Sequence, residues 1–468
     1  MMTYRMLIDG RLVGGAVDAD VINPATRQPF ESAPRADATL ADKAVAAASA
    51  AFAPWSRLGY EKRRPYLERF AEALKERNSE LSRLLTLEQG KPLRQAELEI
   101  QTTIDVVRYF ASAVLQDRVL RDNALETIVA QRYPQGVVAA ITPWNFPVVL
   151  LAYKLAPALI TGNTVIAKPA PTTPLTTLLL GEIAAEIFPA GVFQTLADRN
   201  DIGPLLTEHP NVAHVSFTGS TPTGRQVMRS AAGTLKRFTL ELGGNDVSLV
   251  LDDADLDKVA PAVFNAAMTN AGQICFATKR VYAPRALYDE LVDRLSALAD
   301  AAIVGDGLEQ GTMVGPIQNE TQYNKLISIL DDTRTRGSIT AGGRLGDGEG
   351  YFVRPTIVRD IDDRARLVRE EQFGPVLPIL SYENIHEVLT RVNDSEYGLG
   401  GAVWTSDVDR GISVAGRIES GTVWVNRHRV LPFDVPFGGA KQSGMGLQNG
   451  IEGMEDFTQL RVVNAGRV

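Results

Sequence analysis

Apolar and polar positions alternate in two different ways along the chain. Up to about residue 117 the texture is helical. "ATLADKAVAAASAAFAPW" is rich in alanine. "RRPYLERFAEALKERNSELSRLLTLEQGKP" repeats its apolar residues every three or four positions and stops at Gly90 and Pro92. The first hundred or so residues are therefore read mainly as helix. From about residue 125 short β-branched runs take over: "GVVAAIT", "NTVIAKP", "VAHVSFTG" and "RFTLELGG", each ending in Gly, Pro or Thr, with longer helical patterns between most of them. That alternation predicts βαβ units and a mainly parallel, buried sheet. A second α/β pattern starts near "NDVSLVLDDADLD". It runs through the helix candidates "DKVAPAVFNAAMTN" and "ALYDELVDRLSALADAAI" to "GGAVWTSD" and "GTVWVN". Two strand-like pieces, "LETIVAQRYP" and "FTQLRVVNAG", stand apart and are expected to pair with each other or with another chain.

A chain of 468 residues is too long for one compact domain, so two or three are expected. With 45% hydrophobic and 22% charged residues the composition is that of a globular protein. A net charge of -8 argues against nucleic acid or an anionic membrane as partner. The longest apolar run, "VVLLAYKLAPALI", is short and interrupted by Lys154, so no membrane span is expected, and the charged start "MMTYRMLIDGRLV" does not read as a secretory signal. One cysteine excludes an intrachain disulfide, and four scattered histidines show no metal-ligand spacing. No metal and a cytoplasmic setting are expected.

Five segments carry candidate chemistry. "ITPWNFP" places Asn145 between two prolines, where an amide donor can hold a developing oxyanion; one such donor contributes about 3 kcal/mol. A lone Asn in a bend more often bonds its own turn. "TVIAKPAPTTP" puts Lys168 at the carboxyl end of an apolar strand, where ligands bind in open α/β sheets; the plainer alternative is a snorkelling surface lysine. "FTGSTPTG" is a strand, turn and helix start in which Gly219, Ser220 and Gly224 suit a pyrophosphate, yet Thr221 departs from GxGxxG and local sequence favours a capped helix. "TLELGG" sets Glu241 among apolar neighbours that raise a carboxyl's pKa toward that of a general base; the alternative is a buried ion pair. "NAGQICFAT" holds Cys275 in a loop that Gly272 lets approach other backbone closely, which suits a nucleophile as well as an inert core thiol.

Taken in order, "PWNFP", "KPAPTTP", "FTGSTPTG", "LELGG", "GQIC", "EEQFGP" and "PFGGAKQSG" resemble the aldehyde dehydrogenase superfamily. The resemblance runs from "LIDGRLV" and "INPATRQPF" to "EDFTQLRVV". It implies an α/β fold with a Rossmann-like cofactor domain (1–117 and 136–242), an α/β catalytic domain (243–443) and a small β oligomerisation element (118–135 and 444–468). It implies Cys275 as nucleophile, Glu241 as general base, Asn145 as oxyanion donor beside the Cys275 N–H, and Lys154 as a proton relay. Toward the cofactor it implies Lys168 at the adenosine ribose, Gly219 and Ser220 beside the pyrophosphate, Trp144 lining the cleft, and Glu371 and Phe373 at the nicotinamide ribose and ring. The implied reaction is NAD(P)-dependent oxidation of a small-molecule aldehyde. Cys275 forms a thiohemiacetal, hydride departs, and water activated by Glu241 hydrolyses the thioester to an acid.

Some positions depart from the pattern. Pro171 stands where many NAD-preferring relatives have a ribose-binding glutamate, so NAD is expected with NADP left open. Gln448 replaces a glutamate able to relay protons. Thr221 implies a looser pyrophosphate turn. A CoA-acylating enzyme is the first rival, which Glu241 argues against; a cofactor-independent thiol esterase is the second. Tyr153, Phe276, Phe433 and Phe437 are expected to line the aldehyde tunnel and to suit an apolar or aromatic aldehyde. Arg427 and Arg429 are read as solvated loop charge in preference to a carboxylate site. The isolated strands imply a homodimer or homotetramer.

Overall fold

The computed structural model describes residues 4–15 and 17–467. Met1–Thr3, Ala16 and Val468, which the expected domain ranges include, lie outside the described residues. Three sheets organise the chain. The first contains five parallel strands in the spatial order Arg237–Glu241, Val212–Thr218, Val137–Ile141, Thr164–Lys168, Phe193–Thr195, with Gly444–Met445 antiparallel at one edge. Every residue of Val137–Ile141 and Thr164–Lys168 is buried, as a sheet covered on both faces requires. The strand order reverses between Val137–Ile141 and Val212–Thr218. In doubly wound sheets, ligands bind beside the carboxyl ends of the strands at such a reversal.

The second sheet has seven strands in the order Ser338–Ala341, Thr356–Arg359, Val376–Tyr382, Thr278–Pro284, Asp246–Val250, Gly400–Trp404, Thr422–Val425; only Ser338–Ala341 runs antiparallel. Separate apolar clusters cover its two faces. The third sheet is antiparallel. Glu126–Pro134 pairs along its length with Thr458–Gly466 and on its other side with Arg118–Asp122. The two isolated strand-like pieces therefore pair with each other.

The helical reading of the first hundred residues holds from residue 38, with helices Ala38–Ser56, Tyr60–Glu76, Asn78–Gln89 and Leu93–Ser112. The Asp37 side chain caps the first of them at Leu40 N, and Gly90, at φ 93°, closes the third. Before residue 38 the chain forms two β-ribbons instead, Met6–Ile8 with Arg11–Val13 and Val17–Asn23 with Gln28–Arg35. Asp9 and Gly10 turn the first of these with positive φ. Met6, Leu7 and Ile8 are buried in the apolar cluster around the first sheet, a long-range effect that local pattern does not reveal. Among the described residues no helix is long and apolar enough to cross a membrane. Nor does any group of three or more His, Cys, Asp or Glu among them stand close enough to hold a metal ion.

Candidate active site

Helix Leu256–Met268 ends in a sharp reversal. Asn270, Ala271 and Gly272 all take positive φ (52°, 53° and 71°), a costly run for the two that carry a Cβ. Gly272 is required: a Cβ there would lie 2.4 Å from the Gly374 carbonyl oxygen. Gln273, fully buried, ties the turn down, donating to Asn270 O at 2.9 Å and accepting from Gln318 N at 2.9 Å. The chain then presents Cys275, half-buried, to a cavity of about 1260 Å³ before entering strand Thr278–Pro284. Lys279, one turn further on and buried, donates to the carbonyls of Ile274 and of Cys275, the latter at 3.2 Å. Burial pushes the Cys275 thiol up to about 12; Lys279 draws it down, and Glu241, Glu371 and Asp246 push it up further.

Asn145 faces this loop from the end of strand Val137–Ile141. Its side-chain Nδ2 donates to Gln273 O at 2.9 Å, and its own carbonyl accepts from Lys91 Nζ at 2.9 Å and Asn270 Nδ2 at 3.1 Å. It bonds the Cys275 loop instead of its own turn. Lys91 forms a fully buried ion pair with Glu99 and lies 3.6 Å from the centre of the Phe146 ring. Glu99 in turn accepts from Val148 N (3.1 Å) and Val149 N (3.2 Å) in the first turn of helix Pro147–Thr161. Sequence reading missed both Lys91 and Glu99, because a charged residue within a helical pattern reads as a solvated face.

Glu241 ends strand Arg237–Glu241, is 3% exposed, and neither carboxyl oxygen has a hydrogen-bond partner. It is not the buried ion pair weighed as the alternative. Burial raises its pKa to about 8, Lys154 opposing and Asp456 adding to the rise. Lys154, fully buried, donates to Thr218 Oγ1 at 2.7 Å and Ser216 Oγ at 3.3 Å. Burial brings it down to about 7, with Glu241 opposing. Gln448 lines the same cavity as Glu241 and Cys275, with its Nε2 buried and unpaired.

The cavity gathers nine of the residues singled out in the sequence: Asn145, Tyr153, Glu241, Cys275, Phe276, Arg429, Phe433, Phe437 and Gln448. Phe276 packs edge-on to Phe437 with ring centres 5.4 Å apart. Burial raises the Tyr153 phenol. The other candidates lie outside this cavity. Trp144 and Phe373 meet edge-to-face at 5.4 Å. Glu371 accepts from Gly244 N at 3.0 Å and lies 3.8 Å from Lys279 Nζ, which connects it to the Cys275 loop; burial raises its pKa. Gly219 N donates to Glu241 O at 3.0 Å, and Ser220 caps helix Thr221–Ala231 with Pro222 in the first turn, so the capped-helix reading of this segment holds. Lys168 is buried, not snorkelling, and its ammonium lies 2.7 Å from Asp198 Oδ1, a residue that sequence reading passed over. Of the two loop arginines, Arg427 is exposed as expected, whereas Arg429 lines the cavity. The solvated-charge reading of Arg429 is therefore corrected: its guanidinium donates to Thr269 Oγ1 at 3.0 Å and its Nε is buried.

The family model described as "Aldehyde dehydrogenase family" matches residues 14–463. The chain belongs to the aldehyde dehydrogenase family. Along 471 residues it is 38% identical to a betaine aldehyde dehydrogenase of Rhizobium etli, covering 98% of this chain and 96% of that protein. The NAD+ complex of the aldehyde dehydrogenase from Bacillus cereus superposes with a TM-score of 0.97 at 34% identity, covering 99% of this chain and 97% of that one. An NADP-dependent enzyme of E. coli superposes equally well, with a TM-score of 0.97 at 34% identity over 99% and 98% of the two chains. As an aldehyde dehydrogenase, this chain is an oxidoreductase whose cysteine, amide and free carboxyl share one cavity.

Proposed function

We propose that this aldehyde dehydrogenase oxidises its aldehyde to the carboxylic acid through covalent capture on Cys275. The observation that carries the reading is the convergence of Cys275, Asn145 and an unpartnered Glu241 on a single cavity. Cys275 Sγ gives up its proton, by way of the Glu241 carboxylate in the same cavity, to solvent and bonds to the carbonyl carbon. The resulting alkoxide is held by Asn145 Nδ2, which already points at the loop, and by the Cys275 N–H. The residues present fit a nicotinamide dinucleotide: the Trp144–Phe373 pair, Glu371 and buried Lys168 all border the first sheet's carboxyl edge or the Cys275 loop. When bound, that cofactor supplies the hydride acceptor that leaves the captured aldehyde as a thioester. Glu241, as carboxylate, takes a proton from water; the hydroxide adds to the thioester and expels the Cys275 thiolate. Gln448, whose free Nε2 faces the cavity, holds that water without carrying its proton. The free Glu241 carboxyl favours water over CoA as the acceptor of the acyl group. Growth of absorbance at 340 nm on mixing enzyme, aldehyde and NAD tests the reading, and Cys275→Ala abolishes that growth. An unchanged rate in the variant refutes it.

The cofactor preferred in this reading is NAD. Pro171 removes the usual ribose-binding carboxylate, but Asp198 restores a negative charge at the neighbouring strand end and already engages the Lys168 ammonium. Arg35, buried beneath, spends its guanidinium on the carbonyls of Asp198 (2.5 Å) and Pro171 (2.8 Å). A 2′-phosphate would meet the Asp198 charge and find Lys168 taken. Calorimetric titration is expected to show NAD binding tighter than NADP, with Asp198→Asn raising NADP affinity by about tenfold. Equal affinities in the unaltered enzyme would exclude the role given to Asp198.

A further inference from the structure

The substrate cavity has apolar walls and one interior charge that nothing neutralises. Its walls include Tyr153, Phe276, Leu431, Phe433 and Phe437. Of the charged residues that line it, Arg94 and Glu97 are exposed and of opposite sign, Glu99 is neutralised by Lys91, and Glu241 belongs to the reacting end. Arg429 remains. One guanidinium nitrogen donates to Thr269 Oγ1 at 3.0 Å, while Nε is buried with no partner at all. Among the described residues no carboxylate comes within the 4.0 Å of an ion pair. Burial lowers the Arg429 pKa to about 10, with no opposing contribution from an anion, so the group stays cationic at neutral pH while lacking a counter-charge.

An unpaired guanidinium held out of water is costly, and an anion that reaches it removes the cost. Its planar fork matches a carboxylate. We infer that this enzyme selects an aldehyde carrying a carboxylate at its far end, an ω-oxo acid, with Arg429 as the group that binds that carboxylate. The inference rests on the oxidation of aldehydes at Cys275 proposed above. The aldehyde end lies at Cys275, the chain of the substrate runs along the aromatic wall, and the carboxylate meets Arg429. The same charge repels a substrate with a cationic tail. A trimethylammonium aldehyde, the kind named for the Rhizobium relative, is therefore disfavoured.

The test compares ω-oxo acids of graded length with their methyl esters and with betaine aldehyde. NAD reduction is followed for the unaltered enzyme, Arg429→Gln and Arg429→Lys. The unaltered enzyme is expected to favour one acid over its ester by about 10- to 100-fold in kcat/KM, mainly through KM. Arg429→Gln should bring that ratio to about one, and Arg429→Lys should restore part of it, since it keeps the charge but loses the fork. A merely structural arginine would weaken acid and ester alike. The inference is overturned if the unaltered enzyme treats acids and esters equally, a comparison that needs no variant to fold. It is overturned also if Arg429→Gln leaves the ratio intact or betaine aldehyde is the best substrate. In those cases, oxidation of the neutral esters still upholds the reaction at Cys275. If no aldehyde of any kind reduces NAD, that reading falls and the inference with it.

Discussion

Both oxygens of Glu241 are buried without a hydrogen-bond partner, and burial raises its acid to about 8. In the proposed mechanism the carboxylate is the active form, so thioester hydrolysis should rise about tenfold per pH unit below that value and level off above it. Stopped-flow turnover under conditions where hydrolysis limits the rate checks this. Glu241→Gln should fall by about 100-fold or more and lose the inflection. If the variant keeps an inflection near 7 to 8, Lys154, lowered to about 7, is the base instead. Stability moves the other way. A carboxyl raised in the folded state stabilises the fold below its unfolded pKa, near 4.5, and that stabilisation is lost as pH rises through about 8. Glu241→Gln should thus melt progressively higher than the unaltered enzyme across that window. The identity of this residue was legible in "TLELGG"; its freedom from any partner was not, because Lys154 and Asp456 approach it from other parts of the chain. Asp198 escaped for the same reason, and Arg429 was read as solvated charge for it. Each is an ordinary charged residue in its own segment, and only the cavity wall or the Lys168 ammonium beside it gives it meaning.

Helix Pro147–Thr161 supplies Tyr153 and Lys154, and its first turn follows directly on Asn145. Its start has no side-chain cap of its own, and Glu99, from helix Leu93–Ser112, fills that place across space. The Lys91–Glu99 pair therefore fixes a helix end and Asn145 together. Lys91→Met should destabilise the fold by about 3–5 kcal/mol, since it leaves a buried carboxylate without its cation. It should also lower activity more than stability requires, because Asn145 loses a hydrogen bond to its carbonyl. Denaturant titration and kcat measured well below the melting point separate the two effects. A variant that keeps both values would show the pair to be incidental. At this scale the sequence was most legible where an element is long and buried through local periodicity, as in residues 60–112, or short and apolar, as in the parallel strands. It was least legible at Phe193–Thr195, three residues long, and at Met6–Ile8, which owes its burial to distant partners.

The long-range layout of the whole molecule could be read only as alternatives. "LETIVAQRYP" and "FTQLRVVNAG" lie more than 300 residues apart, and their pattern fitted pairing with each other or with another chain. Within one chain they pair with each other, Thr458 opposite Pro134 through to Gly466 opposite Glu126. That pairing leaves both outer strands of a three-stranded sheet open. Arg118–Asp122 is exposed throughout, and Val119, Leu120, Val462 and Val463 are exposed apolar residues along these strands. Unprotected strand edges with apolar side chains template further pairing, and a twofold axis lets one such surface meet its own copy. We propose that a second copy of this chain covers the sheet, which gives a homodimer or a homotetramer built from such pairs. Light scattering coupled to gel filtration should give two or four times the mass of one chain. Replacing Leu120 and Val462 together by lysine should lower that mass, because a charge on each edge opposes burial against its symmetry mate. Neither residue lines the active cavity, so far-ultraviolet dichroism of the variant should still report a folded chain while its mass falls. An unaltered enzyme that runs as a single chain at micromolar concentration rules out this use of the sheet, and a double variant of undiminished mass moves the interface elsewhere on the surface.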